Sequence, residues 1–496
     1  MSYLDGAPRM IFMGEGITPV FREIPFEDPH VVYSRLKGPA SLLFESIKGP
    51  ANIARYSFIG FDPYVIFTVK DGLIETDWGG RKGLSCRKPI ERLRELVFGY
   101  RQMPVDGLPP FQGGAAGMLS YDFARYFERL PHKAVDDLHL PDAHFFMLDR
   151  VVAFDNVKRK GWIIVCPGAR EMGLGYSGDD HAREDLIKKA GDTVGDIYER
   201  IVTCGPGRSA VVPQGAAGGS SKVIISHDTG KERYIEMVRR AKEYIAAGDI
   251  FQANLSLRVS ADIPDRDPWD LYRMLREINP SPFSCFIDFG GYQIVSSSPE
   301  RLVRVSGRAI DTRPIAGTRP RGGDRGEDER MRTELLLNEK ERAEHIMLID
   351  LERNDLGRVA DYGTVEVDEL MITEEYSHVM HIVSNIRGVL AEGRDCFDVI
   401  RATFPGGTIT GVPKVRCMEI IDELEPVRRG SYTGSAGYIG FNGNMDLNII
   451  IRTFLIKEGR AYIQAGAGIV ADSDPEREYL ESLKKAEALI RAVERI

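Results

Sequence analysis

The front part of the chain alternates short apolar runs with amphipathic stretches. Short runs of β-branched, aromatic and aliphatic residues bounded by turn-forming residues are typical of strands. Apolar residues that recur every three or four positions are typical of helices that cover a core. On these criteria the pattern predicts strands at 40–46, 64–69 and 162–165 and helices at 89–101 and 181–202.

The back part has the same two patterns over longer stretches. A helix at 229–247 opens it, a long helix at 325–355 ends at Gly357, and a last helix begins at Pro475, which suits a first helical turn. Strands are predicted at 283–288, 292–297, 301–305, 308–311, 434–441, 446–455 and 460–465. Helices that cover large antiparallel sheets make an α+β fold, which is the fold class that we predict.

One break in composition separates the two parts. Small and turn-forming residues dominate positions 204–222, and this composition is typical of a flexible connector. We therefore predict an N-terminal domain over 1–203, a flexible linker over 204–222 and a C-terminal domain over 223–496.

The composition narrows the class of protein. A chain of 496 residues with 43% hydrophobic residues can bury a large core, and a net charge of −9 without a basic stripe argues against nucleic acid. No run of about 18 apolar residues is present, so no membrane-spanning segment is predicted. The N-terminus lacks the features of a secretory signal, and six scattered cysteines are typical of reduced thiols, so we expect a cytoplasmic protein.

Two pairs of glutamates form a candidate metal site. Glu341 and Glu344, and likewise Glu478 and Glu481, are three residues apart, which puts each pair on one face of a predicted helix. Four carboxylates that face one cavity would hold a hard divalent cation, and Mg²⁺ prefers such oxygen ligands. Each pair alone is more typical of a solvated helix face with ion pairs, so the interpretation depends on the residues that accompany it.

A series of motifs resembles one enzyme family. In the back part they are 248–256 (GDIFQANLS), 313–322 (RPIAGTRPRG), 344–357 (EHIMLIDLERNDLG), 376–381 (YSHVMH), 404–414 (FPGGTITGVPK) and 464–468 (QAGAG); in the front part they are 42–46 (LLFES) and 55–60 (RYSFIG). In this order they resemble the chorismate-binding enzymes, which include anthranilate synthase component I, aminodeoxychorismate synthase component I and isochorismate synthase. The chain contains no nucleotide-binding fingerprint.

The resemblance implies a role for each candidate residue. The residues implied to surround Mg²⁺ and a chorismate carboxylate are Glu341, Glu344, Glu478 and Glu481. Those implied to contact the substrate are Tyr432, Arg452 and Lys485 at its carboxylates, Gly466 and Gly468 against its ring, and Gly317, Thr318 and Thr408 near the enolpyruvyl group and ring. The residue implied to lie near the leaving C4 hydroxyl is His381, and we take His381, Glu344 and Thr408 as the catalytic candidates.

These residue types suit the chemistry of chorismate. Chorismate is a small dianion, so its site needs cations such as Arg452, Lys485 and Mg²⁺. Loss of the C4 hydroxyl needs a proton donor, and a histidine that titrates near neutral pH, such as His381, can supply the proton. Magnesium would neutralise the charge that builds up on the leaving group.

Two positions and several segments bear on which reaction is catalysed. Gln252 stands where the water-using members carry a lysine base, and a glutamine cannot deprotonate water, so isochorismate or salicylate synthesis is disfavoured. Ala316 stands where many aminodeoxychorismate synthases carry a lysine that attacks the ring, which favours anthranilate synthase. The segments 252–256, 406–411, 445–448 and 111–122 instead look like the aminodeoxychorismate branch, some members of which carry that alanine. We predict aminodeoxychorismate synthase component I, with anthranilate synthase component I as the alternative.

The resemblance also implies a partner and a second pocket. No cysteine lies in a Gly-x-Cys-x-Gly setting, so a separate glutamine amidotransferase subunit is expected to supply ammonia. Leu43, Glu45 and Ser46 match the part of the front domain that binds tryptophan as a feedback inhibitor in anthranilate synthases, although a buried strand would explain 42–44 equally well. A regulatory protein that kept the fold and lost the chemistry is a further alternative, but it would have lost the magnesium or histidine positions, and all of them are intact.

Overall fold

Two twelve-stranded antiparallel sheets form the centre of the protein. The computed structural model describes residues 17–100, 102–172, 180–203, 223–320, 324–375 and 379–496. The predicted fold class, large antiparallel sheets covered by helices, is confirmed. The predicted linker at 204–222 lies outside the described residues.

The strands and helices follow one another along the whole described chain. The strands are β1 (Val20–Ile24), β2 (Ser41–Glu45), β3 (Tyr56–Gly60), β4 (Val65–Lys70), β5 (Leu73–Asp77), β6 (Lys82–Ser85), β7 (Gly114–Leu119), β8 (Ala143–Leu148), β9 (Arg150–Asp155), β10 (Lys160–Val165), β11 (Ile225–His227), β12 (Gln252–Asp262), β13 (Phe283–Asp288), β14 (Tyr292–Ser298), β15 (Arg301–Ser306), β16 (Ala309–Thr312), β17 (Ile315–Pro320), β18 (Glu366–Glu375), β19 (Val379–Val389), β20 (Gly411–Val412), β21 (Ser435–Gly440), β22 (Met445–Asn448), β23 (Thr453–Lys457) and β24 (Arg460–Ile469). The helices are α1 (Pro29–Leu36), α2 (Pro89–Phe98), α3 (Ala169–Met172), α4 (Asp180–Thr203), α5 (Lys231–Ala246), α6 (Pro268–Ile278), α7 (Arg325–Leu337), α8 (Glu339–Gly357), α9 (Cys396–Thr403), α10 (Lys414–Leu424) and α11 (Pro475–Arg495), with short 3-10 turns at Tyr121–Tyr126 and Gly407–Ile409.

Both sheets combine strands from the front and back parts of the chain. The first sheet has the order β1-β10-β9-β3-β2-β13-β14-β23-β24-β12-β11, with β20 also paired to β12. The second has the order β17-β19-β16-β15-β22-β21-β7-β8-β4-β5-β6, with β18 also paired to β19. The two parts join where β2 pairs with β13 and where β7 pairs with β21. The division at 204–222 therefore separates two parts of the sequence that share both sheets.

Apolar side chains alternate between the two faces of each sheet, as a period of two requires. On β2, Leu42 belongs to an apolar cluster with Phe146 of β8 and Ile294 of β14, so that cluster lies between the sheets. The next residue, Leu43, belongs to a larger cluster that includes Val32 of α1. One core thus fills the space between the sheets, and another packs the helices against their outer faces.

Two predicted elements are wrong in an informative way. The predicted helix 325–355 is two helices, because Asn338 ends α7 and its side-chain oxygen accepts the Glu341 backbone N–H at 3.0 Å as the cap of α8. The predicted strand 446–455 is also two elements, because β22 lies in the second sheet and β23 in the first. The residues between them, 449–452, carry the chain from one sheet to the other.

Among the described helices, none is both long enough and apolar enough to cross a membrane.

Candidate active site

Two crossing segments meet where the chain passes between the sheets. Residues 298–301 connect β14 to β15, and residues 449–452 connect β22 to β23. The Ile449 N–H donates to the Glu300 carbonyl at 3.0 Å, and the Ser297 N–H donates to the Arg452 carbonyl at 3.1 Å. Arg452 has a φ of +51°, a left-handed conformation that is uncommon for residues other than glycine. Backbone hydrogen bonds thus hold Glu300 and Arg452 at one place.

Glu300 is a site residue that the sequence analysis missed. Burial raises the pKa of its carboxyl to about 7, while the Thr408 hydroxyl, the Ile315 backbone N–H and the charges of Arg452 and Lys485 lower it. Only 6% of Glu300 is exposed, so this carboxyl can carry a proton at neutral pH. The sequence does contain a signal for Glu300, which is an acidic residue between Pro299 and Arg301 just after a predicted strand.

His381 of β19 lies on the other side of Arg452 and is neutral. Its Nδ1 is 3.3 Å from the Gly317 carbonyl oxygen, which only accepts, so Nδ1 carries the hydrogen and Nε2 has the lone pair. Burial and the positive charge of Arg452 lower the pKa of His381 to about 3. In this structure the buried imidazole beside an arginine is uncharged, so the expectation that His381 gives up a proton stays a prediction.

A flat surface lies along the start of β12. Gly466 and Gly468 of β24 pair opposite Ser256 and Asn254. A Cβ at Gly468 would approach Gln252 Nε2 to 2.3 Å, and a Cβ at Gly466 would approach the Leu255 carbonyl oxygen to 2.4 Å. A side chain at Gly466 would therefore meet the neighbouring strand, and one at Gly468 would have to displace the end of the Gln252 side chain.

Several oxygen atoms around this surface have no hydrogen-bond partner in the described chain. They are buried, and such atoms are costly unless a ligand or water satisfies them. Thr408 Oγ1 faces Glu300 and lowers the pKa of that carboxyl without forming a well-aligned hydrogen bond. The unsatisfied oxygens are Gln252 Oε1, Asn254 Oδ1, Glu300 Oε1, Glu341 Oε2 and Thr408 Oγ1.

Lysine and arginine side chains provide positive charge beside these acceptors. Lys485 Nζ of α11 donates to the Gly466 carbonyl at 2.9 Å and lies 3.0 Å from a Glu481 carboxylate oxygen. Its charge and that of Arg452 both reach Glu300. A buried pair, Arg429 and Glu425, supports the site from below, and Arg429 donates to the Asn254 carbonyl at 2.6 Å. The Gly466 carbonyl and the Asn254 carbonyl thus each accept a hydrogen bond from a cationic side chain.

The four glutamates lie on two helices that cover different sheets. Glu341 and Glu344 are on α8, and Glu478 and Glu481 are on α11. Glu341 forms an ion pair with Arg319 at 2.6 Å, and a Cβ at Gly317 would lie 2.3 Å from Glu341 Oε2. Within the part of the chain that is described, no three acidic, histidine or cysteine side chains lie close enough to hold one metal ion. Two of the predicted ligands, Glu341 and Glu481, thus have cationic side chains as partners in this structure.

The remaining predicted contacts lie around the same site. Ala316 pairs opposite Ile382 in the ladder between β17 and β19, and the backbone of Thr318 pairs opposite His381. The side chain of Thr318 is outside the described atoms. The Tyr432 ring is buried, 5.5 Å from the Arg429 guanidinium, and burial raises the pKa of its hydroxyl.

A separate cavity of about 540 Å³ lies between the sheets near β2. Glu45 and Ser46 line it, together with Pro282, Arg301 and Tyr438. Leu43 does not line this cavity, because its side chain points to the opposite face of β2 and is fully buried in the larger apolar core. The structure therefore brings two of the three candidate tryptophan-pocket residues to one cavity and separates the third from it.

The whole of this arrangement corresponds to one known family. Residues 41–491 match the chorismate binding enzymes. Because the match covers most of the chain, the protein belongs to the chorismate binding enzyme family, as the motifs predicted.

Similar proteins carry two names within that family. The chain is 46% identical over 470 residues to anthranilate synthase component 1 of Thermus thermophilus, covering 94% of this chain and 96% of that protein. It is 42% identical over 480 residues to aminodeoxychorismate synthase component 1 of Bacillus subtilis, covering 96% and 97%. The crystal structure of anthranilate synthase component I from Streptococcus pneumoniae matches with a TM-score of 0.74 at 33% identity, over 94% of this chain and 98% of that one. The protein is a chorismate-utilising enzyme, and relatives of both names match it over nearly their whole length.

Proposed function

We propose that this protein replaces the C4 hydroxyl of chorismate with an amino group from ammonia, giving 4-amino-4-deoxychorismate. The observation that supports this most is Glu300, a buried carboxyl whose pKa is raised to about 7 beside Arg452 and Lys485. A dianion needs the two cations, and a leaving hydroxyl needs the proton. In the overall reaction the C4–O bond breaks, a C–N bond forms and water leaves.

Each group around the site has a task in this proposal. Arg452 and Lys485 bind the carboxylates, and the glycine surface at Gly466 and Gly468 receives the ring. Glu300 gives its proton to the departing hydroxyl, and its conjugate base then faces the two cations. Neutral His381 accepts a hydrogen bond at Nε2, so it orients the substrate without supplying a proton.

Magnesium is part of the proposal through the glutamates. Glu341 Oε2 is a buried carboxylate oxygen without a hydrogen bond, which is the kind of atom that a hard cation satisfies. Glu341 and Glu344 on α8, with Glu478 and Glu481 on α11, are the residues that would hold the ion. Once bound, it would supply a Lewis acid that neutralises charge on the substrate carboxylate and leaving group. Arg319 and Lys485 would then have to release Glu341 and Glu481.

Anthranilate synthase activity is the second candidate, and Ala316 is the observation that favours it. An alanine cannot attack the ring, so the covalent route that a lysine provides is not available. The segments 252–256, 406–411 and 445–448 argue against anthranilate synthase activity, because they look like the aminodeoxychorismate branch. Asn254, within the first of these, places an unsatisfied amide oxygen beside Gly466.

Product analysis separates the two candidates. The purified chain is incubated with chorismate, Mg²⁺ and ammonium at alkaline pH, with and without an aminodeoxychorismate lyase. A non-aromatic amine that becomes 4-aminobenzoate only when the lyase is added supports the proposal. Fluorescent anthranilate and pyruvate formed without the lyase would instead establish anthranilate synthase.

A glutamine amidotransferase subunit is the proposed source of ammonia. Relatives of both names are called component 1, and this chain has no cysteine in a glutaminase nucleophile motif. We expect turnover with ammonium but none with glutamine alone, and glutamine-dependent turnover once such a subunit is added. Turnover with glutamine by the chain alone would contradict this.

The cavity at Glu45 and Ser46 is proposed as a tryptophan site. It has a volume of about 540 Å³ and combines apolar walls at Pro282 and Phe283 with charged groups at Glu45 and Arg301. Such a lining suits an amino acid with a large apolar side chain. Calorimetric titration of the protein with tryptophan, with phenylalanine as a comparison, tests this assignment.

A further inference from the structure

A second buried carboxyl lies behind Glu300 and has no task in the reaction proposed above. Glu352 is on α8, eight residues after Glu344, and only 7% of it is exposed. Its partner is Thr312, the last residue of β16, whose Oγ1 is 2.6 Å from Glu352 Oε2. The state of Glu352 follows from this contact and from the charges around it.

The hydroxyl of Thr312 determines where the hydrogens lie. Thr312 Oγ1 is also 2.8 Å from the Leu302 carbonyl oxygen, and that oxygen can only accept. Leu302 lies at the register break between β15 and β22, and its carbonyl accepts from the Thr312 hydroxyl. Thr312 has one hydroxyl hydrogen, and if it goes to Leu302, the hydrogen in the Glu352 contact must come from Glu352. The chain of donors is then Glu352 to Thr312 to Leu302.

The charges around Glu352 agree with a neutral carboxyl. Burial raises its pKa to about 8. The Thr312 hydroxyl lowers that pKa, whereas Glu300, from the crossing between β14 and β15, and Asp355, from α8 itself, raise it. Lys414 at the start of α10 lowers it but is bound to Asp355 at 2.5 Å and to the Thr403 carbonyl at 3.0 Å. The nearest cation is thus engaged elsewhere, and Arg358 also faces Asp355.

The hydrogen bonds from Glu352 through Thr312 to Leu302 connect two segments that lie beside Glu300. Leu302 is on β15, two residues after Glu300. Thr312 lies three residues before Ile315, and the backbone N–H of Ile315 donates to the Glu300 carboxyl. Gly317, which accepts from His381, follows on the same strand. An ionised Glu352 could only accept from Thr312, which would take the single threonine hydrogen away from the Leu302 carbonyl. It would also place a second negative charge near Glu300.

We propose that Glu352 is a positioning residue that stays protonated in the folded protein and, through Thr312, fixes the two segments that set the geometry of Glu300. This inference rests on the proposed role of Glu300 as the proton donor. In this role Glu352 donates a hydrogen bond to Thr312 and acts on Glu300 through it, without contacting the substrate.

Three variants test the proposal. Glu352→Gln keeps a donor for Thr312, Glu352→Leu removes the donor at similar size, and Thr312→Val removes the oxygen that connects Glu352 to Leu302. With chorismate and ammonium at pH 7, we expect Glu352→Gln to stay within about threefold of the wild type, and the other two to lose about tenfold, the cost of one hydrogen bond. Glu352→Gln as slow as Glu352→Leu would overturn the proposal, and Thr312→Val keeps the comparison available if Glu352→Leu does not fold.

Two further measurements separate a proton on Glu352 from simple packing. The infrared difference spectrum of wild type minus Glu352→Gln at pH 7 should contain the C=O band of a protonated carboxylic acid, and its absence would overturn the proposal. Above pH 8, wild-type activity at a fixed NH₃ concentration should fall with two ionisations and that of Glu352→Gln with one. The infrared band does not depend on turnover, so it still tests Glu352 if the wild type fails to use chorismate.

Discussion

The candidate active site and the cavity near β2 are both polar, but they differ in whether their polar groups have hydrogen-bond partners within the protein. The polar groups at the cavity already have partners: the Glu45 carboxylate accepts from Tyr272 at 2.7 Å and from Arg276 at 3.0 Å, neither of which lines the cavity, and Arg301 donates to Asp446 at 2.9 Å. Around Glu300, buried oxygens such as Gln252 Oε1 and Asn254 Oδ1 have no partner in the described chain. The polar groups at the cavity thus have partners within the protein, whereas those at the candidate site are left for a ligand or water to satisfy.

The two regions are also neighbours along the chain. Glu300 faces the candidate site and the next residue, Arg301, lines the cavity. In the same way, Asn448 lines the cavity and Arg452 faces the site. The crossing segments therefore form one wall between the two regions, so residues one to four positions apart contribute to different regions.

Removing the Glu300 proton is expected to have the largest effect on activity. Glu300→Gln keeps the size of the side chain but cannot give up a proton, so kcat with ammonium should fall by about 100-fold to 10,000-fold. Steady-state kinetics measures this loss, and circular dichroism checks the fold. Glu277→Gln, an exposed site on α6, is the matched control and should behave as the wild type. Full activity of Glu300→Gln would mean that the proton comes from another group.

Removing a predicted magnesium ligand should affect the same site through the metal. Glu341→Gln takes away the carboxylate that faces Gly317. Loss of a residue that only hydrogen-bonds to a metal ligand weakens metal binding by roughly tenfold, so loss of a ligand should raise the Mg²⁺ concentration for half-maximal rate by more than that. Glu481→Gln on α11 should abolish turnover with ammonium while the chain stays folded. Glu494→Gln, exposed on α11, provides the control. If both Glu341→Gln and Glu481→Gln keep the wild-type magnesium dependence, the metal assignment fails.

The pH dependence of the wild type tests the same region with a smaller effect. Because burial raises the pKa of Glu300 to about 7, the carboxyl is protonated below that pH and loses its proton above it. At a fixed concentration of free NH₃, kcat/KM for chorismate should therefore decline above pH 7, by up to about tenfold per pH unit. A rate that declines below pH 7 instead would assign the titrating group as a base.

Much of the fold was predictable from local pattern, and the crossings were not. Strands such as β13 have an apolar run bounded by turn residues, and Pro475 marks the start of α11. The break at 449–452 lies between two short apolar runs that are separated only by Arg452 and Thr453, so periodicity gives little sign that the chain changes sheets there. Arg452 was found through family motifs, but its place beside Glu300 depends on pairing between distant strands.

The candidate site was predictable in its membership but not in its protonation states. Motifs identified His381, Lys485 and the glycines, because each stands in a characteristic local sequence. Whether His381 is charged depends on burial and on Arg452, and neither is visible from the neighbouring residues. Glu300 was missed for the same reason, since a glutamate becomes a proton donor near neutral pH only when the fold buries it.

The cavity is predicted to respond to changes that leave the candidate site alone. Ser46→Phe should fill the space that tryptophan would occupy and abolish tryptophan binding in calorimetry. Leu43→Ala, two positions before Glu45 on the outer face of β2, should lower the free energy of unfolding by about 2–5 kcal/mol and leave tryptophan affinity unchanged. Unaltered tryptophan binding by Ser46→Phe would show that the ligand, if bound at all, lies elsewhere.

The smallest expected effect comes from the cap of α8, and it should be confined to the candidate site. Asn338 accepts the Glu341 N–H at 3.0 Å, so Asn338→Ala should lower the free energy of unfolding by about 1 kcal/mol. The first turn of α8 carries Glu341, so a frayed turn should also weaken Mg²⁺ binding slightly, while tryptophan binding at the cavity stays the same. Asn338→Asp keeps an acceptor and should preserve both properties. A change in tryptophan affinity in Asn338→Ala would mean that the wall formed by the crossing segments transmits strain between the two regions.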